Sequence, residues 1–187
     1  MKKSKFLKAK KDILIVVDMQ NDFINGSLGT KEAEAIVPNV VAKIKKYQEE
    51  NNYILTTQDT HNPYYLQTPE GKKLPVEHCI YGSDGWQLHK DIDDAIGTYP
   101  TVCIFKGTFG TKKLEECLKN AQKHFDITHI ELVGLCTDIC VVSNALMLKA
   151  AFPDIEISVD SSCCAGVTPE LHQAALDVMK SCQIDIT

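Results

Sequence analysis

Strand-like and helix-like patterns alternate along almost the whole chain, and this predicts an α/β fold with a parallel sheet covered by helices on both faces. Three observations carry the prediction. Short β-rich runs recur at intervals filled by segments of helical period. Several of those runs are continuously apolar, as strands buried on both faces are. The intervals are long enough for right-handed βαβ crossovers. With 187 residues, 44% hydrophobic and 24% charged, the chain can bury one sizeable core.

Taken in order, the strand candidates are Asp12–Val17, Tyr53–Thr57, Thr101–Phe105, His129–Val133 and Ile155–Val159, with a weaker one at Ile184–Ile186. Between the first two, Val37, Val40, Val41, Ile44 and Tyr47 form one apolar stripe opposite Lys43, Lys45, Lys46 and Glu49. Pro38 suits the first turn of that helix, and Asn51-Asn52 its end. Thr111 can cap a second helix carrying Leu114, Leu118 and Ala121. Residues from about 138 to 151 are apolar nearly all round, which places that helix in the interior. Thr168-Pro169-Glu170 reads as a cap, a first-turn proline and a first-turn acid ahead of Leu171, Ala174, Ala175 and Val178. Residues from about 62 to 97 form the one long excursion, rich in Pro, Gly and polar residues, and loops of that length are usually functional. No repeat, low-complexity tract or linker divides the chain. Residues 12–187 are therefore read as one domain, and residues 1–11 as a flexible lysine-rich tail.

Composition excludes several classes. The longest aliphatic run, Ile13–Val17, is far short of the roughly 20 apolar residues a membrane helix needs. The formal charge is −5, yet six lysines lie within the first eleven residues, and setting them aside leaves −11. A body that acidic repels a phosphate backbone, so neither a nucleic acid nor a membrane is the expected partner. The eight cysteines form no C-x-x-C pair, and no secretory signal precedes them, so reduced thiols in a cytoplasm are expected.

In an open parallel sheet, ligands bind beyond the carboxyl ends of the strands. The first strand runs into Asp18, the second into Asp59-Thr60-His61, the third into Lys106, and the fourth into Gly134-Leu-Cys136-Thr-Asp138-Ile-Cys140. Each has a plainer reading: Asp18 as a cap, Lys106 as a solvated loop lysine, Cys140 as an apolar filler. Together they place an acid, an imidazole, an ammonium and a thiol on one rim. A first-turn position and a nearby Lys106 would favour the Cys140 thiolate, with Asp18 taking its proton. The backbone N–H groups of Cys136 and Cys140 can serve a developing oxyanion. Spacing alone leads to a cysteine hydrolase or acyltransferase and no further.

The Asp18-Met-Gln-Asn-Asp-Phe run, the Lys106 strand end and Gly134-x-x-Thr-Asp-x-Cys140-Val, in this order, resemble the isochorismatase-like cysteine hydrolases and, among them, the nicotinamidases. The resemblance spans about residues 12–187. It implies a three-layer fold with sheet order 3-2-1-4-5-6, an Asp18-Lys106-Cys140 triad, oxyanion amides at Cys136 and Cys140, and a cis Leu135–Cys136 peptide. By itself Asp59-x-His61 is weak evidence for a metal. The resemblance implies a site of Asp59, His61, Glu70 and His78 for one divalent ion, Zn²⁺ before Mn²⁺ or Fe²⁺, that meets the substrate's ring nitrogen. It also implies that Phe23 and Phe109 flank that ring, that Leu74 stands where many relatives carry an aromatic residue, and that the chain assembles as a homo-oligomer. The expected activity is hydrolysis of nicotinamide, and of pyrazinamide, to the acid and ammonia through a thioester. The alternatives are another amidohydrolase or an isochorismatase and, from a different class, a non-catalytic metal-binding scaffold. His89, His124, His129 and His172 match no motif, and a contact between Trp86 and substrate is a guess.

Overall fold

The side chains of β1 (Lys10–Val17) alternate between two cores. Ile13, Ile15 and Val17 belong to one cluster, while Leu14 and Val16 belong to the other, and all five are fully buried. This is the strand at the centre of a parallel sheet, and the computed structural model, which describes residues 8–187, shows the rest of it. The strands β2 (Tyr53–Asp59), β3 (Thr101–Lys106), β4 (Asp126–Leu135), β5 (Glu156–Ala165) and β6 (Asp185–Ile186) complete six parallel strands in the order 3-2-1-4-5-6. All six expected strands form, and the order is the expected one.

The helices are α1 (Asn21–Ile24), α2 (Lys31–Glu49), α3 (Pro69–Lys73), α4 (Lys90–Ile96), α5 (Lys112–Ala121), α6 (Val142–Ala151) and α7 (Pro169–Ser181). One face of the sheet is covered by α2 and α4, through Ile36, Val37, Val40, Ile44, Tyr47 and Ile92. The other is covered by α5, α6 and α7, through Leu114, Leu118, Ala145, Leu148, Leu176 and Met179. Among the described residues, no helix is long and apolar enough to cross a membrane.

Several boundaries differ from expectation, each for a physical reason. Strand β1 begins at Lys10, because Lys10 and Lys11 pair with Asp126 and Ile127 of β4, so only residues 1–7 of the expected tail lie outside the described residues. Helix α2 begins at Lys31 and not near Pro38. Thr30 caps it by accepting from the Ala33 N–H, and burial of Ala33 and Ile36 holds its first turns. Pro38 sits inside the helix at an exposed position, where it leaves one backbone carbonyl without its helical N–H partner. The end is as expected, with Asn51 at φ 53° just past the helix. Thr111 and Thr168 cap α5 and α7. The excursion is not irregular throughout: it holds a 3₁₀ turn at Tyr65–Gln67, then α3 and α4.

This topology sets the site. Crossovers leave β1 for β2 on one side and enter β4 on the other, so a crevice opens beyond the carboxyl ends of β1 and β4. Gly134, at φ 114°, lets the two strands meet beneath that crevice, since a Cβ there would lie 2.1 Å from the Val17 carbonyl oxygen.

Candidate active site and metal centre

Asp18 ends β1 in a left-handed backbone conformation (φ 47°), which aspartate tolerates better than most residues. Its N–H is shared between the Thr57 carbonyl and hydroxyl, and the Thr57 hydroxyl donates to Asp18 Oδ1 at 2.7 Å. The other oxygen, Oδ2, lies 2.7 Å from Lys106 Nζ. At that distance the two form a buried ion pair. Oδ2 is the one fully buried side-chain oxygen or nitrogen among the described residues that lacks a well-directed hydrogen bond. Lys106 Nζ also donates to Cys140 Sγ at 3.4 Å and lies 3.5 Å from Asp59 Oδ1. The structure thus brings Asp18, Lys106 and Cys140 together, with the first two fully buried through their side chains.

Burial sets the direction for the two acids, Asp18 and Cys140. It raises the Asp18 carboxyl above its ordinary value, with the Lys106 charge opposing. It pushes the Cys140 thiol well up, the Asp18 charge pushes the same way, and Lys106 counteracts only in part. Burial and the Asp18 charge thus work against the thiolate that a helix start was expected to favour. For Lys106 the burial penalty is outweighed by Asp18, Cys140 and Asp59, and the ammonium is held charged.

Cys140 lies in a π-turn, Thr137–Val141, and not in the first turn of a regular α-helix. The Cys136 carbonyl accepts from Ile139 and Val141, the amides on either side of Cys140. Preceding it, the Leu135–Cys136 peptide is cis, as the resemblance implied. Thr137 Oγ1 lies 2.8 Å from His172 Nδ1, and Asp138 Oδ1 accepts from the Val167 N–H, so the turn is tied to the start of α7.

A second cluster stands across the crevice. Donor atoms of Asp59, His61, Glu70 and His78 lie within 4.8 Å of one another. His61 Nε2 is 3.0 Å from Asp59 Oδ2 and 3.7 Å from Glu70 Oε1, and His78 Nε2 is 3.6 and 3.9 Å from the same two oxygens. A tetrahedral ion with bonds of about 2.1 Å sets its donors about 3.4 Å apart, so two imidazoles and two carboxylates at these spacings fit a divalent metal such as zinc. The Val76 carbonyl accepts from His78 Nδ1–H at 2.9 Å, which leaves the Nε2 lone pair facing the cluster, the usual support for a metal-binding histidine. Burial would raise the Asp59 carboxyl, but hydrogen bonds to His61 and His78 and the Lys106 charge hold it well below the carboxylate range. Asp59 thus belongs to both clusters, with one oxygen toward each.

Between the clusters is an apolar cavity of about 230 Å³. Cys140, Cys136, Asp59, Glu70 and His78 line it, as do the three expected ring contacts, Phe23, Leu74 and Phe109. Phe23 is buried with its ring 5.5 Å from that of His78, while Leu74 and Phe109 are part of the exposed rim. Trp86 is elsewhere: it packs on Tyr81 and Phe105 and donates to the Thr60 hydroxyl.

Several residues that position this site escape a reading of the sequence. The buried Gln20 side chain accepts from the Asp59 N–H and donates to the carbonyls of Asp59 and Trp86. Asp22 accepts from the Cys79 N–H, which fixes the backbone next to His78. Tyr65, fully buried, packs its ring against both His61 and His78 and donates to the Leu74 carbonyl. Asn144 bridges Cys140 to the loop after Lys106. Gln20 and Asp22 lie within the run that carries the resemblance, but Tyr65 and Asn144 have no local signal.

The fold sets a thiol cluster and a cluster of four potential metal ligands on facing sides of one cavity, and comparison with known proteins gives the family. The sequence model of the Isochorismatase domain matches residues 12–187. The chain belongs to the isochorismatase family, as an enzyme of its amidohydrolase kind. The nicotinamidase/pyrazinamidase of Mycobacterium tuberculosis is 24% identical over 183 residues, covering 92% of this chain and 96% of that one. The crystal structure of the Bacillus subtilis nicotinamidase/pyrazinamidase superposes with a TM-score of 0.82 at 25% identity, over 95% of this chain and 99% of that one. A pyrazinamidase from Pyrococcus horikoshii, solved in complex with zinc, gives 0.77 at 25% identity, over 95% and 98%.

Proposed function

We propose that this protein is a nicotinamidase: it hydrolyses nicotinamide to nicotinate and ammonia, with Asp18, Lys106 and Cys140 as its catalytic residues. One observation carries the reading. The thiol cluster and the four-donor cluster face each other across one small apolar cavity, so a flat ring carrying a carboxamide and a ring nitrogen can engage both. The zinc-bound pyrazinamidase among its structural relatives supports zinc as the ion, before manganese or iron.

The reaction runs in two halves. As Cys140 Sγ attacks the carboxamide carbon, Asp18 Oδ2 takes the thiol proton and the carbonyl electron pair moves to oxygen, where the amides of Cys136 and Cys140 receive it. Collapse of this adduct breaks the C–N bond, and Asp18 returns the proton to the departing ammonia. In the second half Asp18 takes a proton from water as its oxygen attacks the thioester. The C–S bond then breaks and Cys140 regains its proton. Lys106 holds Asp18 in place and offsets the negative charge that passes between carboxylate and sulfur. A divalent ion held by Asp59, His61, Glu70 and His78 would supply Lewis acidity toward the ring nitrogen. Phe23 and Phe109 confine the ring, with Leu74 leaving its edge less tightly enclosed. The reading carries with it a reducing, cytoplasmic setting, in keeping with eight free thiols, and a homo-oligomeric assembly that light scattering reads directly.

Ammonia release from nicotinamide, pyrazinamide and benzamide, with metal analysis of the same sample, tests the reading. Nicotinamide and pyrazinamide should be hydrolysed. Benzamide has the same shape without the ring nitrogen and should be poorer in kcat/KM by up to ~10⁴-fold, because a site built for one polar atom rejects the analogue lacking it. Equal rates for benzamide and nicotinamide would remove the ring-nitrogen role, and no ammonia from any of the three would refute the amidase reading itself.

A further inference from the structure

Asn144 lies one turn after Cys140 on α6 and is fully buried. Its side chain is used in three directions. Nδ2 donates to the Cys140 carbonyl at 2.8 Å and to the Phe109 carbonyl at 3.2 Å, while Oδ1 accepts from the Thr111 N–H at 2.9 Å. One amide therefore joins the turn that carries the thiol to both sides of Gly110, in the short loop leading from Lys106 to the cap of α5. The loop also lies directly on the helix at this point: a Cβ on Gly110 would fall 2.6 Å from Met147 Sδ and 3.2 Å from Ser143 Cβ. Lys106 and Phe109 approach Cys140 from this loop, and the π-turn around Cys140 lacks the regular α-helical ladder that would otherwise fix it.

We propose that Asn144 is the positioning residue of the nucleophile, setting Cys140 in register with Lys106 on one side and with the Phe109 wall of the cavity on the other. Asn144 touches neither substrate nor the reacting atoms. It acts through the Cys140 backbone, and displacements of about 1 Å at a reacting centre cost about 10²-fold in rate. The amide is suited to the task because it offers two N–H donors to two carbonyls and an acceptor to one N–H. A hydroxyl has one hydrogen to give, and a carboxylate has none.

The inference rests on the proposed amidase activity for its kinetic arm only. In Asn144→Ala, kcat for nicotinamide should fall about 10²-fold while KM rises only a few fold through the loosened Phe109 wall. The second arm needs no substrate: the rate at which iodoacetamide alkylates Cys140, followed peptide by peptide against pH, with exposed Cys103 as internal standard. Loss of register with Lys106 and Asp18 should slow Cys140 alkylation about tenfold near neutral pH and leave Cys103 unchanged. Asn144→Asp keeps the volume and the acceptor for Thr111 but turns an oxygen toward two carbonyls. It should behave in the same way, and it stands in if the alanine variant does not fold. Leu148→Ala, a core truncation in the same helix, should lower Tm without moving the alkylation profile. Folded Asn144 variants with kcat and Cys140 alkylation within twofold of wild type would overturn the inference, as would Leu148→Ala shifting the profile as much. If the wild type releases no ammonia, the amidase reading fails, and the alkylation arm still decides the role of Asn144.

Discussion

Two lysines of this fold each lie between two carboxylates, and the two clusters do opposite things. Lys43, on α2, bridges Glu131 of β4 at 2.9 Å and Asp160 of β5 at 2.7 Å. Lys106, at the end of β3, lies 2.7 Å from Asp18 and 3.5 Å from Asp59. Around Lys43 every carboxylate oxygen is occupied. Glu131 takes Lys43 on one oxygen and the Tyr47 hydroxyl on the other, and Asp160 takes Lys43 on one and both Ser162 donors on the other. Around Lys106 the Oδ2 of Asp18 is held by the ammonium alone, and a thiol lies against the same ammonium. A satisfied cluster has nothing left to do but hold α2 to the sheet. The other, sealed from water at a strand end, sets a carboxylate oxygen and a thiol against one ammonium, where a proton can pass between them. The number of charges is the same in both, so the thiol neighbour and not the charge count separates scaffold from chemistry.

The largest effect should come from the thiol. Cys140→Ala should lower kcat at least ~10⁴-fold with the fold intact, whereas Cys136→Ala should be mild because only its backbone N–H is used. A lethal Cys136 change with a tolerated Cys140 change would reverse the assignment. Metal content comes next: His61→Ala or His78→Ala should abolish stoichiometric binding in elemental analysis while thermal unfolding shows a folded protein. Exchanging the lysines tests the comparison head-on. Lys106→Met should cut kcat about 10²–10³-fold. Lys43→Met should leave kcat within about twofold and lower stability by about 1–3 kcal/mol in denaturant unfolding, since it strands two partly buried carboxylates. If Lys43→Met were the inactivating change, the thiol neighbour would not be the distinguishing property.

The smallest effect concerns pH. Burial alone would raise the Asp160 carboxyl, but hydrogen bonds from Lys43 and Ser162 hold it below its ordinary value. A carboxyl depressed in the folded state adds stability that is present above its unfolded pKa of ~3.9 and is lost as pH falls through the folded value. Asp160→Asn should therefore cost about 0.5–1 kcal/mol at pH 7, with the difference from wild type closing below about pH 4. Urea unfolding at the two pH values checks it, and a difference that grew on acidification would contradict the sign.

The amino-acid sequence by itself determined the fold class, all six strands and the strand ends on which Asp18, Asp59, His61, Lys106 and Cys140 stand. The reason is physical: hydrophobic period is a local property, and a parallel sheet sends every strand's carboxyl end to one rim. Glu70, His78 and the ring contacts were legible only through likeness to a family, since nothing in the spacing of a long excursion says where it folds back. The start of α2 at Lys31 was missed because Pro38 resembles a helix beginning, and only the burial of Ala33 and Ile36 shows the helix already under way. What the tertiary structure alone decided is which groups meet. Gln20 reaches Asp59 across 39 positions, and Asn144 reaches Thr111 across 33, through hydrogen bonds that leave no periodic trace. Tertiary burial also bears on the nucleophile: a helix start and a lysine suggested a thiolate, but desolvation and the neighbouring Asp18 charge push the Cys140 thiol the other way.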